Sequence, residues 1–341
     1  MLSLRHTYVN VRPLGPFGVR LLVATTLALA TACSSSDPAA IVTPPAPTYV
    51  AGQSYFGKND YIEYIAGNAP VILTAPHGGS LAPTTIPDRT AGPCGGAPTT
   101  VTDLNTRELV RAMQQQYFAR FGKYPHVIIT NLARRKLDAN RRPPLATCGN
   151  ADAEAAYADW HRFIDIAKQA TLAAFGKGFY LDIHGHGHTV QRLELGYLLS
   201  DNELGLSNVA LDASRGYEDA AGIRTLSQFS PLSFSALLRG STSLGTLYAN
   251  NGIPAIPSQS DPAPMGADYF EGGDNTRRHS CGAEATPYGG TTGGNICGVQ
   301  IEAHFTGVRD NAASRENFGA VTARVLEQYL QQHWNLRLAP P

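Results

Sequence analysis

The stretch Phe179-Tyr180-Leu181-Asp182-Ile183-His184-Gly185-His186-Gly187-His188 decides how the chain is read. Its first half is an apolar run of strand-forming residues, and it stops abruptly at alternating histidine and glycine. Backbone that leaves a buried strand in this way presents imidazoles at the strand's carboxyl end, where ligands bind in open α/β sheets. Asp182 and His184 are two residues apart and so share one face of the strand, while Gly185 and Gly187 make room at the turn. Three histidines within five residues exceed what packing requires. His184, nearest the strand, is the best candidate ligand; His186 and His188 are candidates to orient a substrate, to support a ligand, or to sit in solvent.

Working outward, two other strand ends have the same character. Val71-Ile72-Leu73-Thr74-Ala75 is a continuous apolar run of the kind buried on both faces of a parallel sheet, and it ends at Pro76-His77-Gly78-Gly79. The glycine pair lets backbone approach a ligand closely, so His77 stands at a strand end beside open space. Gly298-Val299-Gln300-Ile301-Glu302-Ala303-His304 is a later strand with Gln300, Glu302 and His304 on one face. Between these, a helix capped by Thr102 is predicted to run to Gly122, with Leu104, Leu109, Val110, Met113, Tyr117 and Phe121 on its buried face. Asp103 then falls in the first helical turn, where the dipole favours a carboxylate with or without a metal. His126–Thr130 is the next strand and completes a β-α-β unit. The most basic loop is 133–143, where Asp138, Asn140 and Arg141 alternate with Leu137 and Ala139 and can share one side of an extended chain. A guanidinium beside an amide suits a carboxylate ligand. Asp152–Phe175 reads as a helix, Leu193–Ser200 as a strand, 233–250 as helical, and 311–333 as an amphipathic closing helix. The loop-rich 266–294 region carries Gly272-Gly273, a pair able to offer backbone N–H groups to a ligand.

Composition narrows the function class. Lys plus Arg and Asp plus Glu are equal at 27 each, so no overall field draws the chain to nucleic acid or to an anionic membrane. With 34 glycines, 23 prolines and only 16% charged residues, many loops around one modest core are expected rather than a helical bundle. Arg5, Arg12 and Arg20 precede the apolar run Leu21–Ala32, so residues 1–32 read as an export signal and not as structure. Leu29-Ala30-Thr31-Ala32-Cys33 resembles a bacterial lipobox, with Cys33 as the lipidated first mature residue; a plain cleaved signal is the other reading. Residues 33–48 then form a tether and 49–341 a single catalytic domain. The expected product is an exported lipoprotein, periplasmic or at the cell surface, monomeric, meeting the membrane only through its anchor. Cys94, Cys148, Cys281 and Cys297 fit disulfides in that compartment. Three pairings are open; Cys281 with Cys297 closes a local loop and leaves Cys94 with Cys148. No Cys-x-x-Cys spacing supports a cysteine zinc site.

Taken together, His77 after a buried strand, Leu137-Asp138-Ala139-Asn140-Arg141, Asp182-Ile183-His184-Gly185 and Gln300-Ile301-Glu302 resemble the ordered motifs of the N-formylglutamate amidohydrolase family, from about Ala69 to the last helix. That family is similar in fold to zinc carboxypeptidases and aspartoacylases. The resemblance implies an α/β fold: a mixed, mostly parallel sheet flanked by helices in three layers. It implies Zn2+ held by His77, His184 and a carboxylate, for which Asp103 is chosen and Asp88 and Glu108 are substitutes, since Ser80 stands where carboxypeptidases carry the ligand glutamate. It further implies Asn140 and Arg141 on the substrate's carboxylate, Arg135 assisting or stabilising an oxyanion, and Glu302 as general base. The implied activity is hydrolysis of an amide next to a carboxylate. The export signal favours an N-acyl amino acid, a peptide or a cell-wall amide over N-formylglutamate. The alternative is a lipid-anchored binding protein that keeps the fold without turnover; a serine hydrolase is disfavoured by the lack of a Gly-x-Ser-x-Gly elbow.

Overall fold

The computed structural model describes residues 48–282 and 294–338; the expected export signal, Cys33 and the tether as far as Pro47 lie outside the described residues. The domain enters its sheet through an antiparallel hairpin, β1 (Ser54–Phe56) and β2 (Ile62–Ile65). Then come β3 (Val71–Ala75), α1 (Thr106–Phe121) and β4 (His126–Thr130), with β3 and β4 parallel neighbours as a β-α-β unit requires. α2 (Ala151–Phe175) leads into β5 (Gly178–Gly185), and β6 (Leu193–Gly196) follows. After a helical excursion the chain completes β7 (Ala255–Ile256), α3 (Asp274–His279), β8 (Ile296–Ala303) and α4 (Ala312–Trp334). The eight strands lie in the order β1-β2-β4-β3-β5-β8-β6-β7. β4, β3, β5 and β8 form the parallel centre, and β2 and β6 border it antiparallel.

Strand alternation divides the interior into two cores. On one side Leu73, Leu181, Ile183, Val299 and Ile301 meet α1 (Val110, Met113, Tyr117) and α4 (Val325, Leu326, Tyr329). On the other, Ile72, Ile128, Tyr180 and Ile296 meet Trp160, Phe163 and Ile164 of α2. Burying each such side chain contributes about 1.5–3 kcal/mol, so both helix layers are held by apolar contact. The fold is therefore a three-layer α/β/α architecture. Along the α2 side, apolar residues occupy the amino halves of the strands, and polar ones replace them toward the carboxyl ends: Thr74, Asp182, His184, Gln300 and Glu302. That change of character places a polar site on the sheet beyond the helix.

Several elements differ from expectation. α1 begins at Thr106, not after Thr102, because Asn105 takes a left-handed conformation (φ 66°) and breaks the run. Leu104 is consequently exposed and Asp103 belongs to the preceding loop. β6 stops at Gly196 because Leu198 turns away with φ 70°, its N–H donating to the Glu271 carbonyl at 2.7 Å. Residues 201–250 hold six short helices, of which the periodicity captures only the last two, Phe234–Arg239 and Leu244–Asn250. Helices of four to seven residues are too short to display a period, although Ser200, Ser207, Ser233 and Ser243 each cap one with the side chain. Disulfides join Cys94 to Cys148 and Cys281 to Cys297. Among the described residues no helix is long and apolar enough to cross a membrane.

Candidate active site

Three loops converge at the carboxyl ends of β3 and β5. His77 follows β3, His184 ends β5 one residue from its last, and the Asp103 loop is pinned to the first by an N–H···O bond of 3.2 Å from Asp103 to the His77 carbonyl. All three side chains are buried, at 1%, 7% and 2% exposure for His77, Asp103 and His184. His77 Nδ1 and His184 Nδ1 each lie 3.2 Å from the same oxygen, Asp103 Oδ2. The far nitrogens are held by other carboxylates: His77 Nε2 by Asp138 at 2.6 Å, and His184 Nε2 by Asp182 at 3.0 Å. An Nε2 that donates to a carboxylate leaves the Nδ1 lone pair pointing at Asp103, so two lone pairs face an anionic oxygen. Either both rings carry a second proton, or a cation lies among the three atoms.

The donor set fits zinc. A tetrahedral ion with bonds of about 2.0–2.1 Å sets its donors about 3.3 Å apart, close to the separations found here. A carboxylate behind each ligating histidine is the usual support, fixing the tautomer and raising ligand basicity. Without an ion, burial opposes charge on His184, but Asp182 and Asp103 outweigh it and raise the imidazole to about 10. Burial also opposes ionisation of Asp103, yet the two histidines hold it well below the usual carboxylate range. The chain has thus gathered buried anions around two imidazoles, an arrangement that favours a positive charge at their centre.

Around this centre is a cavity of ≈ 350 Å³. Glu302, on β8 in register with His184, places Oε1 3.9 Å from His184 Nδ1 and accepts from the Gln300 amide at 3.0 Å. Burial, reinforced by the charges of Asp103 and Glu194 and offset by His184, pushes Glu302 up to about 8. Asn140, Arg141, Gly272 and Gly273 also line the cavity. Asn140 is largely committed: its Oδ1 accepts the Asn275 N–H at 2.8 Å, and its Nδ2 lies 3.3 Å from both Gln300 Oε1 and His184 Nε2. Gly273 is required there, since a Cβ would come within 2.3 Å of that amide nitrogen. Arg141 is half-buried, and the hydrogen bond described for its guanidinium goes to the Asn140 carbonyl at 2.8 Å.

Arg135 requires a correction. It lies outside the cavity, half exposed, paired with Asp88 at 3.2 Å. The preceding residue takes the inner position: Arg134 reaches Asp103 Oδ1 at 3.3 Å and Asp138 Oδ2 at 3.0 Å. Residues 134–140 coil as successive turns rather than as an extended strand, so neighbours do not alternate in and out as expected. Of the substitute ligands, Asp88 is spent on Arg135 and Lys136 at the surface and Glu108 is exposed on α1. Asp138 and Asp182 were legible as residues but not as partners of His77 and His184.

No protein-family model and no curated protein matches the chain. Among solved structures it is similar to a gene product of Agrobacterium tumefaciens, at 15% identity and a TM-score of 0.42 over 80% of this chain and 94% of that one. It is also similar to an N-formylglutamate amidohydrolase from Ralstonia eutropha, at 12% identity and a TM-score of 0.43 over 78% of this chain and 96% of that one.

Proposed function

We propose that the chain is a zinc-dependent amidohydrolase that cleaves an amide bond close to a carboxylate. The observation that carries this reading is the pair of imidazole Nδ1 atoms converging at 3.2 Å on one Asp103 oxygen, each imidazole backed by a further carboxylate, with Glu302 just outside the donors. His77, Asp103 and His184 would hold the ion, which when bound acidifies a water ligand and polarises a carbonyl.

The remaining chemistry falls to the chain's own residues. Glu302 takes the proton of the attacking water and returns it to the leaving nitrogen, a task suited to a carboxylate whose proton affinity has been lifted toward neutrality. Gln300 holds Glu302 by its Oε1 and so fixes the direction of transfer. Arg134 holds Asp103 and Asp138 in place and, behind His77, helps keep Asp138 ionised. Arg141 is the anchor for the substrate's carboxylate, because the Asn140 Nδ2 that could also donate to it is engaged by Gln300 Oε1 at 3.3 Å. A cavity of ≈ 350 Å³ suits a small N-acyl amino acid or the end of a peptide. The basic, apolar leader ending at Cys33 and the two disulfides favour an exported, lipid-anchored enzyme.

The test is to measure bound zinc and hydrolysis of a panel of N-acyl amino acids and cell-wall peptides for wild type and His184→Ala. A zinc ion and the hydrolysis should disappear together in the variant. Turnover that persists without His184, or a zinc content it does not change, overturns the proposal.

A further inference from the structure

A second cluster of metal-type donors adjoins the first and shares none of its residues. In the register of β6 and β8, Glu194 is opposite Glu302, and Glu302 is opposite His184 of β5. Glu194 therefore sits on the same face of the sheet as His184, two strands away, roughly 10 Å at the usual strand spacing. It is fully buried. Its Oε2 accepts the Phe270 N–H at 2.8 Å, while Oε1 lies 2.8 Å from His188 Nδ1 and 3.8 Å from His186 Nδ1. The donor atoms of His186, His188 and Glu194 all lie within 4.8 Å of one another.

The tautomer of His186 is fixed by its surroundings. Nε2 lies 2.8 Å from the Arg192 carbonyl and must carry the proton, whereas Nδ1 accepts the His188 N–H at 3.1 Å and so holds the lone pair. Glu194 Oε1 is thus met by the hydrogen-bonding imidazole of His188 at 2.8 Å and by the unprotonated nitrogen of His186 at 3.8 Å, with Glu302 across the strand pair. A third imidazole lies behind: His304 is 6% exposed, its ring centroid is 6.5 Å from that of His186, and its Nδ1 has no hydrogen-bond partner among the described residues. Buried nitrogen left without a partner is costly in a folded chain.

We propose that His186 Nδ1, His188 Nδ1 and Glu194 Oε1 form a second site for a divalent transition-metal ion of the zinc class. Two imidazoles and one carboxylate select that class over magnesium or calcium, which take oxygen donors. The separations of 2.8 and 3.8 Å bracket the about 3.3 Å expected around a tetrahedral zinc, so closure needs movements of about half an ångström and release of the His188 N–H, whose place on the His186 Nδ1 lone pair the ion takes. His188, with its side chain 19% exposed, gives the ion a route from solvent. The ion would fasten one wall of the cavity. Glu194 holds the Phe270 backbone, the Phe270 ring stacks on His188 at 4.6 Å, and the segment from Tyr269 to Gly273 lines the cavity. This inference does not depend on amide hydrolysis.

Zinc titration of the metal-stripped protein tests it, with competition against a chromophoric chelator and circular dichroism as the check on folding. Wild type should bind roughly two zinc ions per chain, one for each donor set of the kind that closes around zinc. Glu194→Gln should remove one of them and leave the other. His188→Gln keeps a hydrogen-bond donor for Glu194 but not the imidazole, and should do the same. His184→Ala should remove the other ion alone. A single zinc abolished only by His184→Ala overturns the second site; so does a second zinc indifferent to both Glu194→Gln and His188→Gln. A single zinc abolished by His188→Gln but not by His184→Ala supports this site and overturns the proposed catalytic centre instead.

Discussion

Replacing Glu302 by glutamine separates general-base chemistry from metal binding. Glutamine has the same size, and its Oε1 can still accept the Gln300 amide that now lies 3.0 Å away, so the side chain should keep its place. It cannot accept the proton of the attacking water. General bases contribute about 10²- to 10⁴-fold, or about 2.7–5.4 kcal/mol at about 1.36 kcal/mol per decade, and kcat should fall by that amount. Zinc content should not change. Glu302 Oε1 stands 3.9 Å from His184 Nδ1, against 3.2 Å for Asp103 Oδ2, which leaves it one step outside the donors. Nor should the fold weaken: burial, Asp103 and Glu194 all oppose ionisation of Glu302, so a neutral amide removes a charge the interior resists. The assay is kcat and KM on the best substrate of the panel, with zinc counted by mass spectrometry on the same preparation. A kcat within tenfold of wild type would refute the assignment of Glu302 as base. Loss of zinc together with activity would make Glu302 a ligand and refute the geometry behind the argument.

Asp182→Asn removes the carboxylate behind His184 Nε2 and should weaken zinc binding about 10- to 100-fold by competition titration, with activity restored at excess zinc. Arg141→Ala should raise KM for carboxylate-bearing substrates at least tenfold, about 1.4 kcal/mol of a charge-assisted contact, while Arg135→Ala, half exposed on Asp88, leaves kinetics unchanged. Stripped of metal, the folded chain holds protons on Glu302 (raised from 4.5 to about 8) and His184 (raised from 6.5 to about 10) that the unfolded chain releases. That stability is complete below the unfolded values and is lost as pH rises through about 8 and then about 10. Thermal melts of chelator-treated protein should therefore fall between pH 7 and pH 9, with zinc-loaded protein changing less, because zinc binds the deprotonated histidines. Reducing the Cys94–Cys148 bridge, which spans 54 residues, should cost about 4 kcal/mol in denaturant melts.

Two strands of the parallel centre were legible because each is a mainly apolar run that gives way to histidine and glycine. Val71–Ala75 and Gly178–Gly185 could be read as buried strands without any tertiary information. The two histidines that converge on Asp103 were legible for the same reason, since each stands where such a run ends. The periodic face that starts at Leu104 puts Asp103 in a helix, and only the left-handed Asn105 reveals that the helix begins later. Arg134 and Arg135 are adjacent and chemically equivalent, so which one turns inward depends on the turns of 134–140 and not on composition. The roles of Asp138 and Asp182 require knowing which nitrogen of each imidazole is already occupied, a fact that exists only in three dimensions.

One row across the sheet relates both clusters. His184, Glu302 and Glu194 are successive partners on β5, β8 and β6, all on the side that α2 covers nearer the amino ends of the strands. Two carboxylates side by side on neighbouring strands repel, and burial makes the repulsion harder to screen. The row is tolerable if positive charge flanks it at each end, and imidazoles stand at both: His77 and His184 beyond Glu302, His186 and His188 beyond Glu194. The geometry differs between the ends. At the first, two nitrogens meet one oxygen at equal 3.2 Å distances; at the second, the distances are 2.8 and 3.8 Å and one ring reaches solvent. The first is therefore the tighter and more fully formed site, and the second should fill at higher zinc concentration, after the first.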